Sequence, residues 1–186
     1  MKPTSYNYPG KPRMISLIIG PMFSGKTTEL IRQTKRYHYA GHSITVVKYA
    51  KDTRYSTTQV QSHNGVVLDF PTICVSSLEG HIINTDIIAI DEGQFIDHIQ
   101  EFAEKATSRG QIVLIAGLDA DFNVNPFPRI TSLVHKAEKV KKLRAVCACG
   151  AKASFSKLIS TPPTNGVELI GGSESYKPVC RVCFNV

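Results

Sequence analysis

The stretch Gly20-Pro21-Met22-Phe23-Ser24-Gly25-Lys26-Thr27 sets two glycines, a lysine and a hydroxyl in the spacing G-x-x-x-x-G-K-[ST]. Glycines at those places let successive backbone N–H groups turn inward around a phosphate. A helix that starts at the lysine adds its positive end to the same anion. From there Lys26 reaches β- and γ-phosphates, and the Thr27 hydroxyl is placed to hold Mg²⁺. A second candidate is the pair Asp91-Glu92, which comes after the apolar run Ile87-Ile-Ala-Ile90. A carboxylate at the end of a strand neighbouring the phosphate loop holds Mg²⁺ directly or through water. Two adjacent carboxylates divide the work: Asp91 serves the metal, and Glu92 takes a proton from an attacking hydroxyl. The plainer alternative is an acidic pair that merely opens a helix; beside the phosphate loop it is the weaker one.

The third constellation is sulfur. Of the five cysteines, Cys147-Ala-Cys149 and Cys180-Arg-Val-Cys183 form two tight pairs, while Cys74 stands alone in an apolar stretch and is read as core. With no export signal in view, such pairs read as metal ligands before disulfides. Four thiolates make a closed, tetrahedral, structural zinc site. Free thiols and a nucleic-acid-binding zinc ribbon share the same pattern.

The elements that must position these groups emerge from periodicity. Ile15–Ile19, Ile44–Tyr49, Ile87–Ile90 and Ile112–Ala116 are short aliphatic or β-branched runs and predict buried strands. Thr28–Tyr39 and Phe95–Arg109 predict helices, each closed by a glycine (Gly41 and Gly110). Residues 52–65 are polar and aperiodic and predict a loop. Strands alternating with helices predict an α/β fold, a mainly parallel sheet with helices on its faces. After Leu143 cysteine, glycine and proline dominate. The expected division is a leader over 1–13, a nucleotide-binding domain over 14–143 and a small zinc-binding module over 144–186.

Bulk composition agrees. Hydrophobic residues make up 42% and charged residues 20% of the 186, which is globular rather than disordered. No apolar run approaches the roughly 20 residues needed to span a bilayer. Residues 1–13 carry Pro3, Pro9 and Pro12 and no apolar core, which excludes a secretory signal and leads to a cytoplasmic expectation. The charge of +7 suits nucleic acid or phosphate-rich small ligands. Its densest cluster, Lys136–Arg144, alternates with apolar residues and reads as the solvated face of a packed segment. No basic–aromatic alternation suited to single strands is present, the chain is too short for two motor lobes, and no arginine-rich lid comes after the loop. A nucleic-acid translocase and a nucleoside monophosphate kinase are therefore disfavoured, and neither nucleic acid nor membrane is expected as a partner.

From Ile15 to Cys183 the residues resemble the thymidine kinase family of the cellular and poxvirus type. The resemblance rests on Gly20–Thr27, Lys51-Asp-Thr-Arg-Tyr55, Asp91-Glu-Gly-Gln-Phe95, Gly117-Leu-Asp-Ala-Asp-Phe122, Asn125-Pro-Phe127, Ala145-Val-Cys147, Gly171-Gly172 with Tyr176, and Val179-Cys-Arg-Val-Cys183. It implies a P-loop α/β domain with a zinc-bound C-terminal lasso closing over a nucleoside. The activity it implies is transfer of the ATP γ-phosphate to the 5′-hydroxyl of thymidine, and of deoxyuridine second, in deoxynucleotide salvage. Carried over residue by residue, Glu92 is the catalytic base. Asp52, Thr53, Arg54, Asp91 and Gln94 lie near the phosphates with residues 20–27. Met22, Leu118, Phe122, Phe127 and Tyr176 line the nucleoside pocket, and Val167, Glu168, Leu169, Ile170 and Gly171 contact the base. The family is commonly homotetrameric, and dTTP, with phosphates for the loop and a base for the pocket, is the expected feedback inhibitor. One departure stands out: the family's first cysteine pair is C-x-x-C, whereas here it is C-x-C. The shorter pair predicts a tighter chelate ring, lost backbone hydrogen bonds to sulfur and weaker metal retention.

Overall fold

Strands that are apolar on both sides belong in a sheet covered on both faces, and that is where these runs lie. The computed structural model describes residues 13–52, 60–61, 67–160 and 172–185. In chain order they form β1 (Met14–Ile19), α1 (Lys26–Tyr39), β2 (Ile44–Tyr49), β3 (Val60–Gln61), β4 (Val67–Leu68), β5 (Thr72–Val75), β6 (Ile87–Ile90), α2 (Ile99–Ser108), β7 (Ile112–Gly117), α3 (Pro128–Thr131) and β8 (Lys139–Lys142). The C-terminal part adds β9 (Ala145–Val146), β10 (Lys152–Ala153), β11 (Phe155–Leu158), β12 (Tyr176–Val179) and α4 (Arg181–Phe184).

The six-stranded sheet runs β5-β2-β6-β7-β1-β8, and every pairing in it is parallel. Alternate residues of each strand face opposite layers. Leu17, Ile88, Ile90, Val113 and Ile115 pack with Ile99, Phe102, Ala103 and Ala106 of α2. Ile18, Val46, Ala89 and Leu114 pack with Leu30 and Ile31 of α1 on the other face. A separate small cluster of Ala145, Cys147, Ala153, Val179 and Cys180 holds the C-terminal hairpins. Among the described residues no helix is long and apolar enough to cross a membrane.

Three expectations need correction. Val60–Gln61, inside the expected loop, pairs antiparallel with Val67–Leu68; Val60 and Leu68 are buried in the same cluster as Leu30 and Ile31 of α1. Cys74 is exposed, not core, because it lies on β5, the edge of the sheet. Helix α2 starts at Ile99 rather than Phe95. Asp97 bridges the chain at Ser76–Leu78 through two backbone bonds of 2.9 Å, and this pairing, with Ile96 buried, holds the segment out of helix. The run Lys139–Lys142, expected as the solvated face of a packed segment, is mostly exposed and forms β8 at the other edge of the sheet. Lysines there keep a parallel edge from pairing with another chain.

The edge strand is tied to α1 through one carboxylate. Glu29 accepts two bonds of 2.8 Å from Arg32, one of 2.9 Å from Gln33, and pairs with Lys141 of β8 at 3.0 Å. Arg32 first, then Lys141 and Gln33, hold its carboxyl well down, at about 2, against the opposing effect of burial. A folded pKa below the unfolded value of about 4.3 gives stability that is complete above that value and lost as pH falls towards 2. Allowing for solvent around the half-exposed Arg32, this amounts to about 1–2 kcal/mol. Chemical denaturation at pH 5 and pH 3 should therefore show the native chain losing about that much more stability than Glu29→Gln. Parallel losses in the two proteins would remove this linkage.

Candidate active site

Parallel strands deliver their carboxyl ends to one edge of a sheet, and ligands of open α/β sheets bind there. Ile19 is level with Gly117 and Ile90 with Ile115, so Gly20, Asp91-Glu92 and Leu118 emerge side by side. The expectation of a carboxylate on a strand adjacent to the loop needs adjustment: β7 lies between β1 and β6. Asp91 still crosses that gap. The Thr27 hydroxyl donates to it, at 3.1 and 3.3 Å from its two carboxylate oxygens.

The loop is shaped by close approach. Gly20 has φ +145, and a Cβ there would stand 2.5 Å from the carbonyl oxygen of Leu143. Leu143 in turn donates its N–H to Ile19 at 2.8 Å. Pro21 is buried, Met22, Ser24, Lys26 and Thr27 are half-buried, and Phe23 and Gly25 are exposed. Lys26 donates to the Pro21 carbonyl at 2.8 Å across the mouth of the loop. Helix α1 begins at Lys26, two residues earlier than the sequence predicts, with Gly25 in the left-handed region at its head.

Asp91 is buried, and burial first, then the charge of Glu92, pushes its carboxyl up to about 7, against the pull of Thr27 and Lys26. A hydroxyl and a buried carboxylate in contact are a donor set that a divalent cation fits. Glu92 is half-buried and turns the chain with φ 52. The Gln94 amide donates to Glu92 Oε2 at 2.6 Å and accepts from Leu118 N–H at 3.0 Å. Gln94, expected beside the phosphates, thus gives its amide to protein groups.

Asp52 comes after β2 at the same edge and is buried, its N–H donating to Tyr49 at 3.1 Å. Thr53 and Arg54, like Val167, Glu168, Leu169, Ile170 and Gly171, lie outside the described residues. The remaining pocket expectations fall into two groups. Phe122 and Tyr176 face one another with ring centroids 6.4 Å apart. Burial, then the charge of Asp121, raises the Tyr176 phenol above its usual value, so it stays neutral. Phe127 packs edge-on to Phe95 at 6.0 Å, which leans on Tyr49 at 5.3 Å.

Sequence reasoning missed Ser156 on β11, whose hydroxyl accepts from Met22 N–H at 3.0 Å and joins the phosphate loop to the C-terminal hairpins. A serine within a short strand carries no signal of such a contact. It also missed the Asp119–Lys142 ion pair at 2.6 Å, which fastens β8 to the loop after β7.

The four paired cysteines converge as expected. Their sulfurs all lie within 4.8 Å of one another, and Cys149 and Cys180 stand 3.7 Å apart. Tetrahedral zinc with Zn–S of about 2.3 Å needs S–S separations of about 3.8 Å. The backbone N–H groups of Cys149 and Cys180 draw the Cys147 thiol down to about 6, and that of Cys183 lowers Cys180. The chain turns just after the first pair at Gly150, at φ +85. It closes a turn in which Gly150 N–H meets Cys147 O and Cys147 N–H meets Ala151 O, both at 2.8 Å. Cys183 is pushed up to about 12 by the neighbouring sulfurs, Cys149 first. Four such sulfurs ionise together only around a cation.

A glycine-bounded loop at the head of α1, a carboxylate crossing to it and a second carboxylate beside it form an arrangement suited to phosphoryl transfer on an α/β fold. Comparison with known proteins gives the family. The family model described as thymidine kinase matches residues 13–184. The thymidine kinase of Yaba monkey tumor virus is 46% identical over 171 residues, covering 91% of this chain and 93% of the viral one. The cytosolic thymidine kinases of Gallus gallus and Homo sapiens are 43% and 41% identical, each covering 95% of this chain and 79% and 75% of their own. The chain belongs to the thymidine kinase family and is an ATP-dependent kinase.

Protein purified without chelators should carry about one zinc per chain by elemental analysis. Cys180→Ser should release it and weaken nucleoside binding before nucleotide binding. A chain without metal whose four cysteines alkylate freely in the native state would show the site to be vestigial.

Proposed function

We propose that the chain transfers the γ-phosphate of ATP to the 5′-hydroxyl of thymidine, and of deoxyuridine second, supplying dTMP by salvage. The observation that carries the reading is the convergence of phosphate loop, Asp91 and Glu92 on one sheet edge beside an aromatic pair, within a chain of this family. Residues 20–27, with Asp52, Thr53 and Arg54, hold the triphosphate. Thr27 and Asp91 hold Mg²⁺, which neutralises charge on the phosphates. Lys26 leaves the Pro21 carbonyl for the transferring group, where its charge acts mainly on the chemical step. Glu92 accepts the 5′-hydroxyl proton.

The nucleoside sits against Met22, Leu118, Phe122, Phe127 and Tyr176, where aromatic faces stack on a pyrimidine. In this reading residues 167–171, which lie outside the described residues, contact the base, and a small closed pocket excludes purines by size. The cysteine cluster holds structural zinc at the root of this C-terminal module, over 144–186, which docks on the nucleotide-binding domain over 14–143. A homotetramer acting in the cytoplasm belongs to the same reading.

A screen of the four deoxynucleosides with ATP and Mg²⁺ tests it. Thymidine should be the preferred acceptor, and Lys26→Ala should be inactive yet folded. Glu92→Gln should bind both substrates and turn over about 10²–10⁴-fold more slowly. A loss under about fivefold would leave Glu92 a structural or metal-organising group. Because one phosphate cradle adjoins one pyrimidine pocket, dTTP should inhibit the same assay. No inhibition at millimolar dTTP would separate the two subsites.

A further inference from the structure

We propose that Gln94 is a positioning residue for Glu92, acting on the reaction through that carboxylate rather than through the nucleotide. The proposal rests on the reading of Glu92 as the base. Glu92 sits in no regular element: its backbone is left-handed, φ 52 and ψ 41, at the sharp turn where β6 ends. Nothing in helix or strand geometry therefore fixes where its side chain points. The Gln94 amide does so, and its own orientation is unambiguous. A backbone N–H can only donate, so the group that Leu118 N–H meets at 3.0 Å is the amide oxygen. That leaves the NH₂ to face Glu92 Oε2, at 2.6 Å. Fixing Oε2 sets the direction of Oε1.

The amide is held in place from several sides. Gln94 is 1% exposed. Arg129 donates to the backbone carbonyl of Gln94 at 3.2 Å and pairs with Asp97 three residues on. Room for the side chain exists because residue 117 is glycine: a Cβ there would stand 2.9 Å from Gln94 Oε1 and 2.9 Å from Ile130 Cδ1. Through Leu118 the same amide joins the end of β6, which carries the base, to the end of β7, which supplies a wall of the nucleoside pocket. An amide placed there aligns the base with the hydroxyl it serves and contributes nothing to binding ATP. This is the positioning that a displacement of about 1 Å degrades by about 10²-fold.

The test is a kinetic split in the zinc-loaded full chain. Gln94→Met keeps the length and apolar volume and removes both hydrogen bonds. It should lower kcat about 10–100-fold while KM for ATP and thymidine stays within about twofold. Gln94→Glu keeps the shape and sets a negative charge against Glu92. It should lose at least as much, and it serves as the second variant if Gln94→Met fails to fold. In a Glu92→Gln background, Gln94→Met should add less than about twofold, because its effect passes through the group already removed. A raised KM for ATP with kcat intact, or losses that multiply in the double variant, would overturn the proposal alone. A Glu92→Gln enzyme of near-native rate would instead overturn the reading of the base, and the proposal with it.

Discussion

The site depends on parallel register. Ile19 stands opposite Gly117, and Ile115 opposite Ile90. Three strands thus end at nearly one level, and the groups just beyond their carboxyl ends are placed by the sheet rather than by long side chains. After β1 comes the glycine-bounded loop over 20–27, after β6 the two carboxylates, after β7 Leu118. A slip of one residue in any strand would turn its buried face outward as well as misplace its active group. The same aliphatic residues that bury the sheet, Leu17, Ile88, Ile90, Val113 and Ile115 among them, therefore set the geometry of the chemistry.

The second dependence is on how the C-terminal hairpins attach. Leu143 is bonded to Ile19 and crowds Gly20, and Ser156 holds Met22 N–H. Both contacts reach the phosphate loop from chain that borders the first cysteine pair, Leu143 before it and Ser156 after it. The hairpins have little core of their own: Ala145, Ala153 and Val179 with the cysteine sulfurs. A segment so poor in apolar residues needs a tie other than packing. Four sulfurs within 4.8 Å of one another are placed to provide it.

Legible in the sequence was whatever has local spacing. The loop over 20–27, the strand ending at Asp91, the cysteine pairs and the alternation of strands and helices all declare themselves within a few residues. Features set by distant partners were not legible. The strands Val60–Gln61 and Lys139–Lys142 are too short and polar to show periodicity; they form because β4 and β1 are there to pair with. The late start of α2 is fixed by Asp97 bonding to Ser76–Leu78. The position of Cys74 at an edge depends on strand order, and the contact of Ser156 with Met22 on the folding of residues 134 positions apart. The sequence places Gln94 in the site but not the groups its amide holds.

The central claim is that strands separated by β7 build one metal–phosphate site, through Thr27 and Asp91. Mn²⁺ in place of Mg²⁺ makes this directly observable by electron paramagnetic resonance, in titrations of the chain with and without ATP. The account predicts about one Mn²⁺ per chain, bound tightly only when ATP is present. In Asp91→Asn that binding should be lost while metal-free ATP still binds the loop. Mn²⁺ binding to the Asp91→Asn complex with native affinity would contradict the account.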